Sequence, residues 1–386
     1  MKVLYIGCYR EGTGWGQAAI DYILSMDAAG INVVPRAVKL NERQIELPQR
    51  LLELEAQDSA GCDVCIQHIL PHLMEYNPKV RNIALYATET SNFLSASWPR
   101  KINCMDEAWV INDQMVQASK DSGITIPIKV IPHATNFSKF ESSHKKLSLT
   151  DSNNFIFYFI GDLNRRKNLE AFIQAFHSEF HINEPVSILI KTNKHGLNPD
   201  QCAKEVRNIC NIVKSGLKIY TNVNDYKEDL IITDYISEED IYSLHNSCDC
   251  FVMPSYGEAW CIPAFDAMGF GKTPICTDVG GMRDFIEHTV IDPKTLQRSW
   301  TRGGILVPGR LEPVSGMTET FQDIFTARED WVSIDIKELQ STMRQVYEWY
   351  KESSPEYSSM KQTGLLQAFE YSHQKIGTKI KELLNG

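Results

Sequence analysis

The chain has 386 residues, too many for one ordinary hydrophobic core, and therefore predicts two domains. Hydrophobic residues make up 43% and charged residues 23%, a balance that excludes a disordered or fibrous protein. The net charge of −10 gives no electrostatic reason to expect nucleic-acid binding.

The amino-terminal run MKVLYIG is short, apolar and ended by a glycine, which predicts a buried strand and not a signal peptide. No stretch approaches the roughly 20 apolar residues of a membrane span. The ten cysteines include one C-x-x-C, Cys62 to Cys65, with no second pair at zinc-finger spacing. We expect reduced thiols, no metal and a cytoplasmic protein, with transient membrane contact left open.

Strand-like and helix-like segments alternate along the first part of the chain. The strand KVLYIG is followed by a helix-like segment from Gln17 to Ala29, and the series continues with INVVPRAV, CDVCIQHI, NIALYAT, EAWVIN and IKVIPH. Such alternation predicts a parallel sheet covered by helices on both faces. The polar stretch from Thr135 to Asn154 then predicts a linker.

A second series of the same kind begins with FIFYFIG and a helix-like segment from Asn168 to Phe180. It continues with SILIKT, LIITDYI, CFVMPS, PICTDV and GGILV. After Asp335 the apolar spacing is purely helical. The predicted fold class is α/β, with an amino domain at 1–140, a carboxyl domain at 152–363 and a final helix at about 364–386 that returns to the amino domain.

A glycine cluster, Gly12-Thr13-Gly14-Trp15-Gly16, follows the first strand and precedes a helix. Glycines there allow backbone N–H groups to approach a phosphate, so Gly14, Trp15 and Gly16 are candidate ligand contacts. The alternative is a tight turn without a ligand. Nicotinamide binding is disfavoured, because the third glycine comes one position early and the next strand does not end in an acid.

The most informative stretch is FVMPSYGEAWCIPAFDAMGFGKTPICTDVGG, residues 251–281. A strand ends at Pro254, a loop carries Glu258, and a helix starts near Cys261 to Pro263. The N–H groups of the first turn of that helix suit a diphosphate. Glu258 and Asp266 flank this turn, an arrangement that suits a sugar at one end and a ribose at the other.

This stretch resembles the retaining GT-B glycosyltransferases of family 4, whose pattern is P-S-x-x-E-G-F-G-x-P-x-x-E-A-M-A-x-G-x-P. The residues that match are Pro254, Ser255, Glu258, Pro263, Ala267, Met268 and Gly271; Pro274 stands one position after the last proline of the pattern, and Asp278, Gly280 and Gly281 follow it. The departures are Asp266 for the second glutamate, and Ala259, Trp260 and Cys261 for Gly-Phe-Gly. The resemblance implies that Trp260, Cys261, Ile262 and Asp266 contact the donor.

A second segment, IGDLNRRKNLEAFIQAF, resembles the family segment in which an arginine and a lysine hold the donor phosphates. Lys167 falls on the family lysine, whereas Asp162 replaces the arginine, so Arg165 or Arg166 is expected to supply the second cation. As an isolated charge run, the same residues would be a solvated basic face.

Further segments extend the resemblance. VIPHATNFSKF places His133 on a family histidine, GGILVP matches the family's closing strand, and Tyr235 and Ile236 lie where the family forms its base pocket. The histidine that many relatives carry in the amino domain is missing after NIALY, so Glu89 or Thr88 would have to serve. His68 and His72 are other candidates.

The resemblance implies two Rossmann-like domains facing across a cleft, and retaining transfer from a nucleotide-diphosphate sugar to a glycan, lipid-linked or other hydroxyl acceptor. The implied catalytic residues are Glu258, Lys167, Arg166 and Glu89, with no cofactor and no metal. The family's commonest setting is bacterial polysaccharide assembly. A non-catalytic binder of nucleotide sugars or protein partners is the alternative, and a phosphorylase or epimerase of the same architecture is a third interpretation.

Overall fold

A computed structural model describes residues 1–40, 45–150, 153–291, 298–318 and 323–386. The chain divides into two compact units. Unit 1 comprises Met1–Ser138, the described part of Glu319–Asp330, and Ala368–Gly386. Unit 2 comprises Lys139–Thr318 and Trp331–Gln367.

Unit 1 is built on a parallel six-stranded sheet of the order β2-β1-β3-β4-β5-β6, within the described residues. Its strands are β1 (Lys2–Gly7), β2 (Asn32–Ala37), β3 (Val64–His68), β4 (Arg81–Leu85), β5 (Glu107–Val110) and β6 (Ile128–Val130). The central strands β3, β4 and β5 are almost entirely buried, as expected for apolar runs inside a parallel sheet.

The helices of the first stretch of unit 1 are α1 (Gly14–Ala28), α2 (Gln49–Glu55), α3 (Trp98–Ile102) and α4 (Asp113–Asp121). The last helix of the chain, α13 (His373–Asn385), packs against α1. A Cβ at Gly377 would overlap the carbonyl oxygen of Ser25, so this glycine permits the close approach of the two helices. Ile376 and Ile380 complete the same hydrophobic core.

Unit 2 contains a second parallel six-stranded sheet, of the order β14-β11-β10-β7-β8-β9 in the described part of the chain. Its strands are β7 (Phe155–Asp162), β8 (Val186–Asn193), β9 (Asp229–Ile232), β10 (Cys250–Met253), β11 (Thr273–Thr277) and β14 (Ile305–Val307). Phe155, Phe157 and Phe159 of β7 are fully buried, which places this strand at the centre of the core.

Helices surround this second sheet. They are α5 (Ser138–Glu141), α6 (Leu169–Glu179), α7 (Pro199–Leu217), α8 (Glu238–Ser247), α9 (Ile262–Gly269), α10 (Met282–Ile286), α11 (Ile336–Lys351) and α12 (Pro355–Glu370). Two small sheets accompany them. One pairs β12 (Glu287–Ile291) with β13 (Arg298–Arg302), and the other pairs β15 (Gly309–Pro313) with β16 (Asp330–Ile334).

The predicted α/β class with two parallel sheets and a returning terminal helix is confirmed. The unit boundaries lie within a few residues of the expected ones, except that residues 323–330 belong to unit 1 although they follow β15. Ser91 and Asp330 hold them there, since each backbone N–H donates to the other residue, at 2.8 Å in both cases. Among the described residues no helix is both long and apolar enough to span a bilayer.

Candidate functional site

Three loops of unit 2 meet at the carboxyl edge of its sheet, because β7, β10 and β11 are neighbouring parallel strands. They are the turn 163–168 after β7, the loop 254–261 after β10 and the turn 278–281 after β11. Side chains that are far apart in sequence are thereby brought together at one edge, the position at which open α/β sheets usually bind ligands.

The turn after β7 presents its cations to the loop after β10. Asn164 caps a short 3₁₀ turn at Arg165–Lys167, and Asn168 follows in the left-handed region with φ 53°. The Asn168 side chain donates to the Pro254 carbonyl at 3.0 Å. The backbone N–H of Tyr256 donates to the Arg166 carbonyl at 2.8 Å, so the two segments are joined by backbone as well as side-chain bonds.

Glu258 lies at the centre of this arrangement. Its Oε1 accepts from Lys167 Nζ at 2.7 Å and from Arg166 Nη1 at 2.9 Å. The same Arg166 nitrogen donates to the Gly257 carbonyl at 2.6 Å. All three charged side chains are nearly buried, with exposed fractions of 6% for Glu258, 11% for Lys167 and 13% for Arg166. The predicted cations Lys167 and Arg166 therefore converge on the predicted glutamate.

The charge state of Glu258 follows from two opposing effects. Burial acts to raise the pKa of its carboxyl group, but the positive charges of Lys167 and Arg166 outweigh burial and leave the pKa below its ordinary value. Glu258 is therefore ionised at neutral pH. Among the described side chains, two cations thus pair with one carboxylate, and such buried cations suit an anionic ligand.

Gly280 and Gly281 lie against the backbone of the loop 254–261. A Cβ at Gly280 would overlap the Glu258 carbonyl oxygen, and one at Gly281 would overlap that of Ala259. Gly280 also has φ 60°, in the region that favours glycine. These two positions require glycine because the backbone that carries Glu258 passes directly over them.

Helix α9 begins immediately after the loop. Cys261 is its N-terminal cap and has φ 73°, a left-handed conformation that costs roughly 1–2 kcal/mol for a residue with a Cβ. Its position is the one at which the resembling family has glycine. Ile262 and Pro263 form the first turn, and Trp260 is buried against Phe265 and Phe285.

The second predicted acid, Asp266, lies on the first turns of α9 and is 5% exposed. Its Oδ1 pairs with Lys139 Nζ at 2.6 Å, and both side chains are exposed by less than a tenth. The sequence did not single out Lys139. Any ligand group that binds Asp266 must share the carboxylate with this ammonium or displace it.

The remaining predicted donor contacts of unit 2 lie elsewhere. Arg165 is directed away from Glu258, to the ring of Tyr256 at 5.0 Å and to Glu170 at 3.3 Å. Arg166, and not Arg165, is thus the arginine at the cluster. Tyr235 is 45% exposed and lies with Ile236 between β9 and α8.

In unit 1 the glycine cluster forms a tight turn. The Gly16 N–H donates to the Thr13 hydroxyl at 3.0 Å, and a Cβ at Gly16 would overlap the Glu11 carbonyl oxygen. Gly14 is the first residue of α1. Trp15 stacks on His68 with ring centroids 5.4 Å apart and donates to the His68 carbonyl at 3.3 Å.

His68 and His133 belong to a buried aromatic cluster around Tyr22. Burial lowers the pKa of His68 to about 3 and that of His133 to about 4, so both are neutral. Tyr5 Oη contacts His68 Nδ1 at 2.7 Å. Glu89 follows β4 and is half-buried, between Thr88 and Thr90, whose hydroxyls are 3.4 Å apart.

The described residues contain no group of three or more histidine, cysteine, aspartate or glutamate side chains placed to hold a metal ion. All ten cysteines are free thiols. Burial raises the pKa of the Cys261 thiol to about 12, so this residue beside the cluster is a neutral thiol and not a nucleophilic thiolate.

Residues 222–299 match the family model described as Glycosyl transferases group 1. This match contains Glu258 and Asp266. A stretch of 165 residues is 26% identical to the serotype-specific mannosyltransferase WbdA of Escherichia coli, and it covers 41% of this chain and 18% of WbdA. The alignment thus spans less than a fifth of that relative.

Solved structures match over the whole chain. Alr3699/HepE from Anabaena, in complex with UDP, gives a TM-score of 0.66 at 14% identity and covers 100% of both chains. Sucrose-phosphate synthase from Thermosynechococcus elongatus gives 0.64 at 13%, covering 100% of this chain and 98% of that one. Starch synthase IV from Arabidopsis thaliana, bound to ADP and acarbose, gives 0.65 at 12%, covering 100% and 99%. The fold is that of the GT-B glycosyltransferases.

Proposed function

We propose that this protein is a retaining glycosyltransferase that moves a sugar from a nucleotide-diphosphate donor to a hydroxyl group of a glycan or lipid-linked acceptor. The observation that carries the proposal is the Glu258–Lys167–Arg166 cluster beside the amino-terminal end of α9. WbdA is a mannosyltransferase by name, the HepE structure holds UDP and the starch synthase structure holds ADP, which supports a sugar-nucleotide donor.

The chemistry breaks the bond between the anomeric carbon and a diphosphate oxygen, and forms a bond from that carbon to the acceptor oxygen. Negative charge develops on the leaving diphosphate, where Lys167 and Arg166 stabilise it together with N–H groups of the first turn of α9. The ionised Glu258 holds sugar hydroxyls and stabilises positive charge on the sugar. The acceptor oxygen attacks from the face of the sugar that the diphosphate leaves, and its proton passes to the leaving phosphate. This front-face attack gives retention without a protein nucleophile.

The proposed donor contacts follow the same arrangement. Asp266 binds the ribose in competition with Lys139, and Tyr235 and Ile236 contact the base. Trp260, Cys261 and Ile262 shape the phosphate turn. The proposed donor contacts of unit 1 are Gly14, Trp15, Gly16 and His133, and Glu89 is proposed to take the place of the missing histidine. The proposal includes no cofactor and no metal, because Lys167, Arg166 and the N–H groups of the first turn of α9 together offset the charge of the diphosphate.

The test is a donor panel of UDP, GDP and ADP sugars, with and without magnesium. Binding is measured by thermal shift, and donor cleavage is measured by release of the nucleoside diphosphate. We expect one base to bind without magnesium, and Glu258→Gln to lower kcat by about 10²- to 10³-fold with the nucleoside diphosphate still bound. Glu205→Gln is the matched control, since Glu205 forms a surface pair with Lys194.

Retention is tested by NMR of the anomeric proton in the first product formed. Inverted product would refute the stereochemical part of the proposal. Binding of a sugar nucleotide without cleavage or transfer would favour the non-catalytic binding protein, and full activity in Glu258→Gln would contradict the role given to this residue.

A further inference from the structure

An aromatic stack connects the loop 254–261, which carries Glu258, to strand β16. The rings of Tyr256 and Trp331 are parallel within 17°, with centroids 4.4 Å apart. Tyr256 is 5% exposed and Trp331 is 1% exposed. The guanidinium of Arg165 also lies over the Tyr256 ring, at 5.0 Å from its centroid. Stacked aromatic pairs and cations over aromatic rings both hold neighbouring segments in fixed geometry.

The backbone of Tyr256 is fixed on two sides. Its N–H donates to the Arg166 carbonyl at 2.8 Å, and its carbonyl accepts from the Val332 N–H at 2.8 Å. The first bond joins the loop to the turn that carries the cations, and the second joins it to β16. Strand β16 therefore holds Tyr256 through a backbone bond at Val332 and a ring contact at Trp331.

Strand β16 is itself held by the paired strand β15. Trp331 Nε1 donates to Glu312 Oε1 at 3.3 Å, and the glycine at 309 approaches the Ser333 carbonyl so closely that a Cβ there would overlap it. The indole is thus fixed at its nitrogen by β15 and at its face by Tyr256. Glu258 follows Tyr256 by two residues, in a loop with no regular secondary structure of its own.

We propose that Trp331 is a positioning residue for Glu258 in the reaction proposed above, on which this inference rests. The β15–β16 pair acts as a brace: it holds Tyr256 against the 165–168 turn and so keeps the Glu258 carboxylate on Lys167 and Arg166. Trp331 does not contact the donor in this role. Its effect reaches the reaction through the position of the carboxylate alone.

Removal of the indole leaves one face of Tyr256 without its partner and allows the loop to shift. A misplacement of about 1 Å at a reacting group costs about 10²-fold in rate. We expect Trp331→Ala to lower kcat/KM for the donor by about 10²-fold, with most of the loss in kcat. Trp331→Phe keeps an aromatic ring on Tyr256 and is expected to retain activity within about threefold of wild type.

A double-mutant cycle separates positioning from general structural damage. In the Glu258→Gln background, Trp331→Ala is expected to lower kcat/KM by less than about threefold, because there is no carboxylate left to misplace. Trp349→Ala is the matched control, since Trp349 is a half-buried tryptophan of α11 that lies near Arg302, at 5.7 Å. It is expected to leave donor turnover unchanged.

Each outcome decides between the two proposals. An active wild type in which Trp331→Ala lowers kcat/KM by less than threefold, or lowers it equally in both backgrounds, would overturn the positioning role and leave the proposed function intact. A wild type that cleaves no sugar nucleotide would overturn both. If Trp331→Ala does not fold, the double-mutant cycle is measured with Trp331→Leu and Trp331→Phe instead. The positioning role then requires that phenylalanine preserve kcat/KM better than leucine does.

Discussion

Replacement of Lys167 by methionine gives the most direct test of the buried cluster. Methionine keeps an unbranched apolar chain and removes only the ammonium group, which lies 2.7 Å from Glu258 Oε1. Glu258 then still pairs with Arg166, at 2.9 Å. The substitution therefore removes one of the two cations that pair with Glu258 in the cluster.

The expected magnitude follows from these distances. Two unit charges 2.7 Å apart attract by about 6 kcal/mol at an effective dielectric constant of about 20. Removing one partner of a buried pair typically costs 3–5 kcal/mol of folding free energy, and because Arg166 remains we expect about 3 kcal/mol. Loss of one preorganised donor to the developing charge is expected to lower kcat by about 10²- to 10³-fold.

The assay measures nucleoside diphosphate release at saturating donor, with urea unfolding on the same samples. Lys227→Met is the matched control, because Lys227 is a partly buried lysine of unit 2 that donates to the Ile182 and Glu184 carbonyls. It is expected to lower stability but leave turnover within twofold. Turnover of Lys167→Met within threefold of wild type would refute the reasoning, as would equal losses of turnover in both variants.

Three further predictions test other parts of the structure. Gly280→Ala is expected to lower kcat/KM by at least tenfold, because its Cβ would overlap the Glu258 carbonyl oxygen. The control is Gly30→Ala, since Gly30 has a similar φ of 72° with open space around it. Equal losses of kcat/KM in the two variants would contradict this account. Lys139→Met is expected to lower the free energy of unfolding of unit 2 in urea by about 3 kcal/mol. The added substitution Asp266→Asn should recover part of that loss, whereas additive losses would argue against the ion pair. The lowered pKa of His68 means that the unfolded chain binds its proton first as pH falls. The contribution of His68 to the free energy of unfolding should therefore decrease by up to about 1.4 kcal/mol per pH unit from about pH 6.5 towards pH 3. The slope of the free energy of unfolding against pH should be shallower in His68→Gln, and equal slopes would count against a buried neutral histidine.

Strand and helix alternation was enough to predict the two parallel sheets, because buried parallel strands are continuous apolar runs that are easily recognised. The β15–β16 pair was not predicted. The strand β15 is largely exposed and carries Gly309, Arg310 and Glu312, so its pattern is not that of a buried strand. The placement of residues 323–330 in unit 1 rests on bonds to Ser91, and no local pattern signals such a long-range pairing.

The candidate site was likewise predicted only in part from the sequence. Glu258 and Lys167 lie on motifs with fixed spacing, and the structure brings them together, although their roles in binding and catalysis stay predictions. The choice between Arg165 and Arg166 depended on which side chain faces the loop, which sequence alone does not fix. Trp331 and Lys139 were missed because each acts across more than 70 positions of sequence. The glycine of the family pattern at Cys261 was the available signal for the left-handed conformation found there.

The return of α13 to the core of unit 1 has a consequence for the order in which the protein is made. Ile376, Ile380 and Leu384 belong to the same core as β1 and α1, so that core stays incomplete until those residues have been synthesised. By then all of unit 2, whose last residue is Gln367, has been translated. Domains usually fold in the order in which they leave the ribosome. Here the unit whose synthesis begins first is completed last. Its β1 and α1 therefore lack their final packing partner, α13, until after unit 2 has been translated.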